Sequence, residues 1–222
     1  MKIPQRNIKE SKHCGRELQV SSENVAKALL NIGAVKIQPD DPFTWASGII
    51  SPIYCDNRQI IGNVDARKDI VKYFVEKIKD MSPEAEVIAG TSTAGIPHAA
   101  FISDEMELPM SYVRGSKKKH GTGRLIEGAS VKGKKVVLIE DLISTGGSSI
   151  EAAEILREEG AEVEIVLAIF SYQLEKAHDN FESSGFKYET LSDLDALLDV
   201  SIKESLLTEE ERKEVVRFRD NL

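Results

Sequence analysis

The sequence predicts an α/β chain with a mostly parallel central sheet flanked by helices and a small N-terminal hood. Short apolar strands alternate with helical patterns along most of the chain. Two of those strands also run directly into turns made of glycine and hydroxyl residues.

In chain order, Ser21 or Ser22 is placed to cap a short helix carrying Val25, Ala28, Leu29 and Leu30, ending near Gly33. Phe43 to Gly48 followed by Ile49 to Cys55 reads as a turn between two short strands, the material of the hood. From Ala66 to Met81, residues Ile70, Val71, Phe74, Val75 and Ile78 recur at helical spacing, with Asp65 as the expected cap and Pro83 just beyond the end. Val87–Ala89 is a strand, and a turn from Gly90 to Gly95 leads to a helix near Pro97 to Phe101. Met110–Val113 is a strand, Lys117–Arg124 a loop, Val136–Ile139 a strand, Ser149–Glu159 an amphipathic helix and Val163–Phe170 a strand. This succession calls for right-handed crossovers. From Asp193 onward the chain is charged and helical in pattern, with Leu194, Leu197, Leu198, Val215 and Val216 available for packing or assembly. Residues 1–222 read as a single domain: about 1–64 the first helix and hood, about 65–190 the core, about 191–222 a helical tail.

With 222 residues, 41% hydrophobic and 30% charged, the chain can bury a substantial core. No stretch nears the roughly 18 apolar residues that span a bilayer, and the N-terminus lacks the apolar centre of a secretory signal. A cytoplasmic location is the expectation, with no membrane partner. Cys14 and Cys55 make neither a disulfide scaffold nor a thiol-rich metal site. His13 and His178 have no acidic or cysteine partner at metal-ligand spacing, and His98 reads as structural. A net charge of −8 argues against nucleic acid as a partner. One segment inverts that balance. Arg114 to Arg124 holds five Lys or Arg residues and His120, without an acid.

Three constellations carry chemistry. In Val136-Val137-Leu138-Ile139-Glu140-Asp141-Leu142-Ile143-Ser144-Thr145-Gly146-Gly147-Ser148-Ser149, an apolar strand ends in two adjacent acids, and a small polar turn opens a helix. Acids there can hold hydroxyls or a metal, and the turn amides can cradle a phosphate. A core strand with a helix cap accounts for Val136–Ile139 and Ser148, but not for Glu140 beside Asp141. The order is that of neither a P-loop nor a dinucleotide fold. The turn Gly90-Thr91-Ser92-Thr93-Ala94-Gly95, weak by itself, adds a second anion pocket on the same edge of a parallel sheet. The third is Arg114-Gly115-Ser116-Lys117-Lys118-Lys119-His120-Gly121-Thr122-Gly123-Arg124: a solvated charge run if alone, a closing anion-binding loop beside the other two.

The first run resembles the 5-phosphoribosyl-diphosphate (PRPP) motif of type I phosphoribosyltransferases. The whole chain is similar to one family, orotate phosphoribosyltransferase, from Phe43-Thr44-Trp45-Ala46-Ser47-Gly48 and Ser51-Pro52-Ile53-Tyr54-Cys55-Asp56-Asn57-Arg58 to Ile169-Phe170-Ser171-Tyr172. The resemblance implies the type I phosphoribosyltransferase fold and Mg²⁺-dependent transfer of phosphoribose from PRPP to orotate, giving orotidine 5′-monophosphate and diphosphate. It also implies a homodimer whose loop reaches into the partner's site. Lys118, His120 and Asp141 would be catalytic. Arg114, Glu140, Asp141, Leu142, Ile143, Ser144, Thr145, Gly146, Gly147, Ser148 and Thr93 would bind substrate, with Ser144 at the orotate position. PRPP supplies many of the Mg²⁺ ligands, so no dedicated protein metal cage is expected. Alternatives are a different nucleobase or a non-catalytic PRPP sensor. Gly115, Ala94, Ala46 and Tyr172 replace basic residues found in other members, leaving backbone amides and Arg58 as candidates to hold the orotate carboxylate.

Overall fold

A computed structural model describes residues 22–44, 48–115 and 125–222. The expectations for His13, Cys14, Ser21, Trp45, Ala46 and the basic segment from 116 to 124, including Lys118 and His120, lie outside the described residues.

The chain opens with α1 (Ser22–Asn31), followed by four short strands: β1 (Val35–Ile37), β2 (Phe43–Thr44), β3 (Ile50–Ser51) and β4 (Ile53–Cys55). β1 pairs antiparallel with β4 and β2 with β3, making two small ladders ahead of the main sheet. After α2 (Gln59–Gly62) comes α3 (Val64–Met81). Asn63, not Asp65, caps α3: its side chain accepts from the Ala66 amide at 3.0 Å, and Asp65 sits in the first turn. The helix starts two residues earlier than its apolar pattern shows, because a cap is a local hydrogen bond and leaves no periodic trace.

The main sheet is formed by β5 (Val87–Thr91), β6 (Met110–Val113), β7 (Ile126–Gly128), β8 (Lys135–Ile143), β9 (Glu162–Ser171) and β10 (Tyr188–Asp193). Their order is β10-β9-β8-β5-β6-β7, parallel throughout except for β7. Between them lie α4 (Gly95–Met106), α5 (Gly147–Glu158) and α6 (Glu175–Ser184), and the chain ends in α7 (Leu194–Lys203) and α8 (Glu209–Asp220).

Alternate residues of each strand serve opposite faces, as a two-residue period requires. Ile88, Val137, Ile139, Ile165, Leu167 and Ile169 pack with α1, α3, α4 and α7. Val87, Ala89, Val136, Leu138, Val166 and Ala168 pack with α5 and α6. Leu194, Leu197, Leu198 and Val215 of the charged C-terminal segment are buried in the first of these cores, with Val25 and Leu29 of α1.

Three boundaries differ from the sequence expectation. β8 runs through Ile143 rather than stopping at Ile139, because β9 continues to pair with it at Glu140↔Ala168, Leu142↔Phe170 and Ile143↔Ser171. Glu140 and Asp141 are therefore strand residues. α4 begins at Gly95 and α5 at Gly147, each taking in part of its turn. β1, β7, α6 and β10 carry too little apolar pattern to be read from sequence: α6 buries only Ala177 and Phe181.

His98 of α4 is 1% exposed, and neither ring nitrogen has a partner among the described residues. Burial lowers its pKa from 6.5 to about 4. The folded state therefore holds the neutral ring while the unfolded chain takes up a proton. This contribution is complete above pH 6.5 and is lost as pH falls toward 4, by at most about 3 kcal/mol. Urea denaturation of His98→Leu at pH 7 and pH 5 should show a smaller loss of midpoint on acidification than the unsubstituted protein. Parallel losses would remove His98 as the cause.

Candidate active site

Between β5 and β8 the winding of the sheet reverses: β6 lies beyond β5 on one side, and β9 and β10 lie beyond β8 on the other. α4 leaves β5 toward one face and α5 leaves β8 toward the other, so a crevice opens at the carboxyl ends of these two strands. Both small-residue turns lie there. The first is packed hard against β8, because a Cβ on Gly95 would stand 2.4 Å from the Ile139 carbonyl oxygen.

A cavity of about 570 Å³ in this crevice is lined by Cys55, Asp56, Arg58, Ile61, Thr93, Ala94, Pro97 and Asp141. It joins Thr93 and Ala94 of the turn after β5 and Asp141 of β8 to the segment that leaves the small N-terminal ladders. Asn57, 1% exposed, fastens that junction by donating from Nδ2 to the Asp141 carbonyl at 2.6 Å.

The two acids differ in burial and in what else they touch, yet their carboxyls also hydrogen-bond to one another. Glu140 is buried at 5% exposure beneath α5, where its carboxylate accepts from Ser149 Oγ at 3.2 Å and the Asp141 amide at 3.0 Å. Asp141 faces the cavity. Burial raises both carboxyl pKa values, and for Glu140 the Asp141 charge adds to it. Two desolvated acids in sequence are hard oxygen donors short of positive charge. That donor set fits hydroxyls or a hard divalent cation.

The turn after β8 is held open toward solvent from behind. Gly146 takes φ +77° as the cap of α5, with no side-chain cap, and a Cβ there would meet the Phe181 ring at 2.6 Å. Asn180 donates from Nδ2 to the Thr145 carbonyl at 2.8 Å. Thus α6, which the sequence did not disclose, braces the turn. Leu142, Ser144 and Thr145 are half-buried, Ile143 and Gly146 buried, and Gly147 and Ser148 exposed at the start of α5. The first-turn amides of that helix, with its positive dipole end, suit a phosphate.

Thr93 is exposed in the turn after β5, where the Ser92–Thr93 peptide is cis. The Ser92 amide donates to the Val113 carbonyl at 3.0 Å, tying this turn to the end of β6. Arg114 follows β6, its amide donating to the Leu125 carbonyl at 2.8 Å and its guanidinium 3.8 Å from Glu127. The two ends of the basic segment are therefore stapled together at the same carboxyl edge of the sheet.

Cys55 is half-buried in the cavity wall, and burial first, then Asp141 and Asp56, push its thiol well above the ordinary range. It stays protonated. Tyr172 is buried, its hydroxyl pKa raised by burial and by neighbouring Cys55, Tyr54 and Asp141. His178 corrects one expectation: Asp179 and Glu182 bring ligand atoms within 4.8 Å of one another and of its ring, because α6 places i and i+4 on one face. All three residues are exposed. Among the described residues no helix is long and apolar enough to cross a membrane.

Loss of the Asn57 donor strands the Asp141 carbonyl and loosens the wall of the cavity. Asn57→Ala should cost about 1–3 kcal/mol of stability in urea denaturation, together with weaker anion binding at the β8 turn by calorimetry. Unchanged values for both would remove Asn57 as the fastening.

Residues 59–203 match the phosphoribosyl transferase domain family. An orotate phosphoribosyltransferase of Staphylococcus aureus is 52% identical over 201 residues, covering 90% of this chain and 99% of that protein. Among solved structures, Leishmania donovani UMP synthase is similar with a TM-score of 0.76 at 30% identity, over 91% of this chain and 43% of that one. The orotate phosphoribosyltransferase from Aeropyrum pernix gives a TM-score of 0.69 at 26% identity, over 83% of this chain and 99% of that one.

Proposed function

The chain belongs to the orotate phosphoribosyltransferase family, and from that premise we propose that it transfers phosphoribose from PRPP to N1 of orotate, yielding orotidine 5′-monophosphate and diphosphate for pyrimidine nucleotide synthesis. The observation that carries the reading is the cavity in which Thr93 of the first anion turn, Asp141 of β8 and Arg58 meet. On this reading the chain is one phosphoribosyltransferase domain, its core at about 65–190.

As the bond to diphosphate breaks, negative charge grows on the leaving group and positive character on the ribose anomeric carbon. The needs are neutralisation, alignment and exclusion of water. The turn from Ser144 to Ser148 holds the 5-phosphate against the N-terminus of α5. Asp141, with Glu140 behind it, holds the ribose hydroxyls. The turn at Thr93 takes diphosphate oxygens through its backbone. Lys118, Arg114 and His120 bring positive charge to the departing diphosphate, and Ser144 together with the Phe43–Arg58 region positions the base. Mg²⁺, when bound with PRPP at the acids, supplies further positive charge to the diphosphate. The test is purified protein with PRPP, Mg²⁺ and orotate, uracil, adenine or guanine, followed for diphosphate and nucleotide. Orotate turnover is expected, and its absence at every Mg²⁺ concentration would sink the reading.

Asp141→Asn removes a cavity-facing charge without opening the core. It should fold normally by circular dichroism and lose about tenfold to a hundredfold in kcat/KM for PRPP, one or two bonds to a charged acceptor. Full activity with this substitution would assign Asp141 to structure.

A closing loop on a glycine-flanked cationic centre needs a surface that fixes its destination. We propose a homodimer with two composite sites, each covered by the partner's loop. When Lys118→Ala chains and Asp141→Asn chains are dissociated and reassociated together, a loop acting across the interface leaves one intact site per mixed dimer. Activity should then recover toward half that of the unsubstituted dimer. Continued inactivity, with mixed dimers confirmed by native mass spectrometry, would rule out sharing.

A further inference from the structure

We propose that Arg58, held in place by Asp56, is the specificity residue that recognises a carboxylate on the base, so that this cavity selects a planar anionic base over its neutral counterpart. The inference deepens the function proposed above and rests on it.

Two carboxylates, Asp56 and Asp141, line the cavity, and their field repels an anionic substituent. Arg58 is the one cation among the described lining residues. Its Nε donates to Asp56 Oδ1 at 2.5 Å, and its amide donates to the same oxygen at 3.3 Å. Asp56 is only 16% exposed in its side chain while Arg58 is 65% exposed. The acid is thus the fixed post and the guanidinium the projecting arm. With Nε engaged, the plane of the guanidinium is set, and its terminal nitrogens have no partner among the described residues. Such a fork matches a carboxylate in two parallel hydrogen bonds, which a lysine point charge cannot reproduce.

The rest of the wall is consistent with a flat ring. Ile61, Ala94 and Pro97 offer apolar surface, and the neutral Cys55 thiol adds no charge. Tyr172, buried behind Cys55, is held neutral and supplies no cation. A neutral base would leave the free edge of Arg58 unmatched, whereas a carboxylated one completes it.

The test uses orotidine 5′-monophosphate and uridine 5′-monophosphate, which differ only by the base carboxylate, titrated calorimetrically into the full chain and its variants. The unsubstituted protein should favour the carboxylated nucleotide, and Arg58→Gln should reduce that ratio by at least about tenfold, the scale of a lost charge-assisted pair. Arg58→Lys should restore part of the ratio, and Asp56→Asn should lower it by releasing the guanidinium. An unchanged ratio in Arg58→Gln, or equal weakening of both nucleotides, overturns the inference. Orotate turnover by the unsubstituted protein is measured alongside. If it turns over while Arg58→Gln keeps its ratio, only the role of Arg58 falls. If it does not turn over orotate, the proposed function falls.

Discussion

Parallel pairing of β5 with β8, at the point where the sheet reverses its winding, is the constraint from which the rest of this structure follows. Because successive crossovers diverge to opposite faces there, no helix can cover the carboxyl ends of those two strands. Two turns emerge at this edge, and the first is fixed against β8 by hard contact: Gly95 lies so close to the Ile139 carbonyl that no side chain fits. An anion turn on either strand alone would be an ordinary crossover. Two such turns on neighbouring strands put two sets of free amides at one edge of the sheet.

Electrostatics follow from that placement. Burying Glu140 beneath α5 costs solvation, which neither the helix dipole nor the Ser149 hydroxyl offsets, so the carboxyl pKa rises. Asp141 experiences the same desolvation, countered in part by a hydrogen bond from the Glu140 carboxyl. The site therefore favours a proton on this acid pair until hydroxyls or cations arrive to stabilise its charged form. Around it the scaffold is stiff where charge is concentrated. Asn57 grips the Asp141 carbonyl from the N-terminal side, and Asn180 with Phe181 supports the following turn from α6.

Elements with strong one-dimensional patterns were legible in the sequence. α3 repeats its apolar residues at helical spacing, and β5, β6, β8 and β9 are apolar runs bounded by turn residues. α6 was not legible. Glu175-Lys176-Ala177-His178-Asp179-Asn180-Phe181 is polar nearly throughout and folds onto the sheet through two side chains. The three-residue strands β1 and β7 are too short to show any period. β8 extends four residues beyond its apolar run, to Ile143, because pairing with β9 overrides the poor strand preference of Glu140 and Asp141.

By itself, then, the sequence determined the fold class, the two anion turns, the basic segment and the family resemblance, because each is written in neighbouring residues. Tertiary structure alone decided that Glu140 is buried against Ser149 while Asp141 lines the cavity, that α6 braces the phosphate turn, and that Arg58 shares that cavity with Thr93 and Asp141. Those three residues are joined by strand order and by the Asn57 hydrogen bond across 84 positions of chain. Strand order and long-range contacts depend on which surfaces bury each other on folding, and local spacing holds no record of that choice.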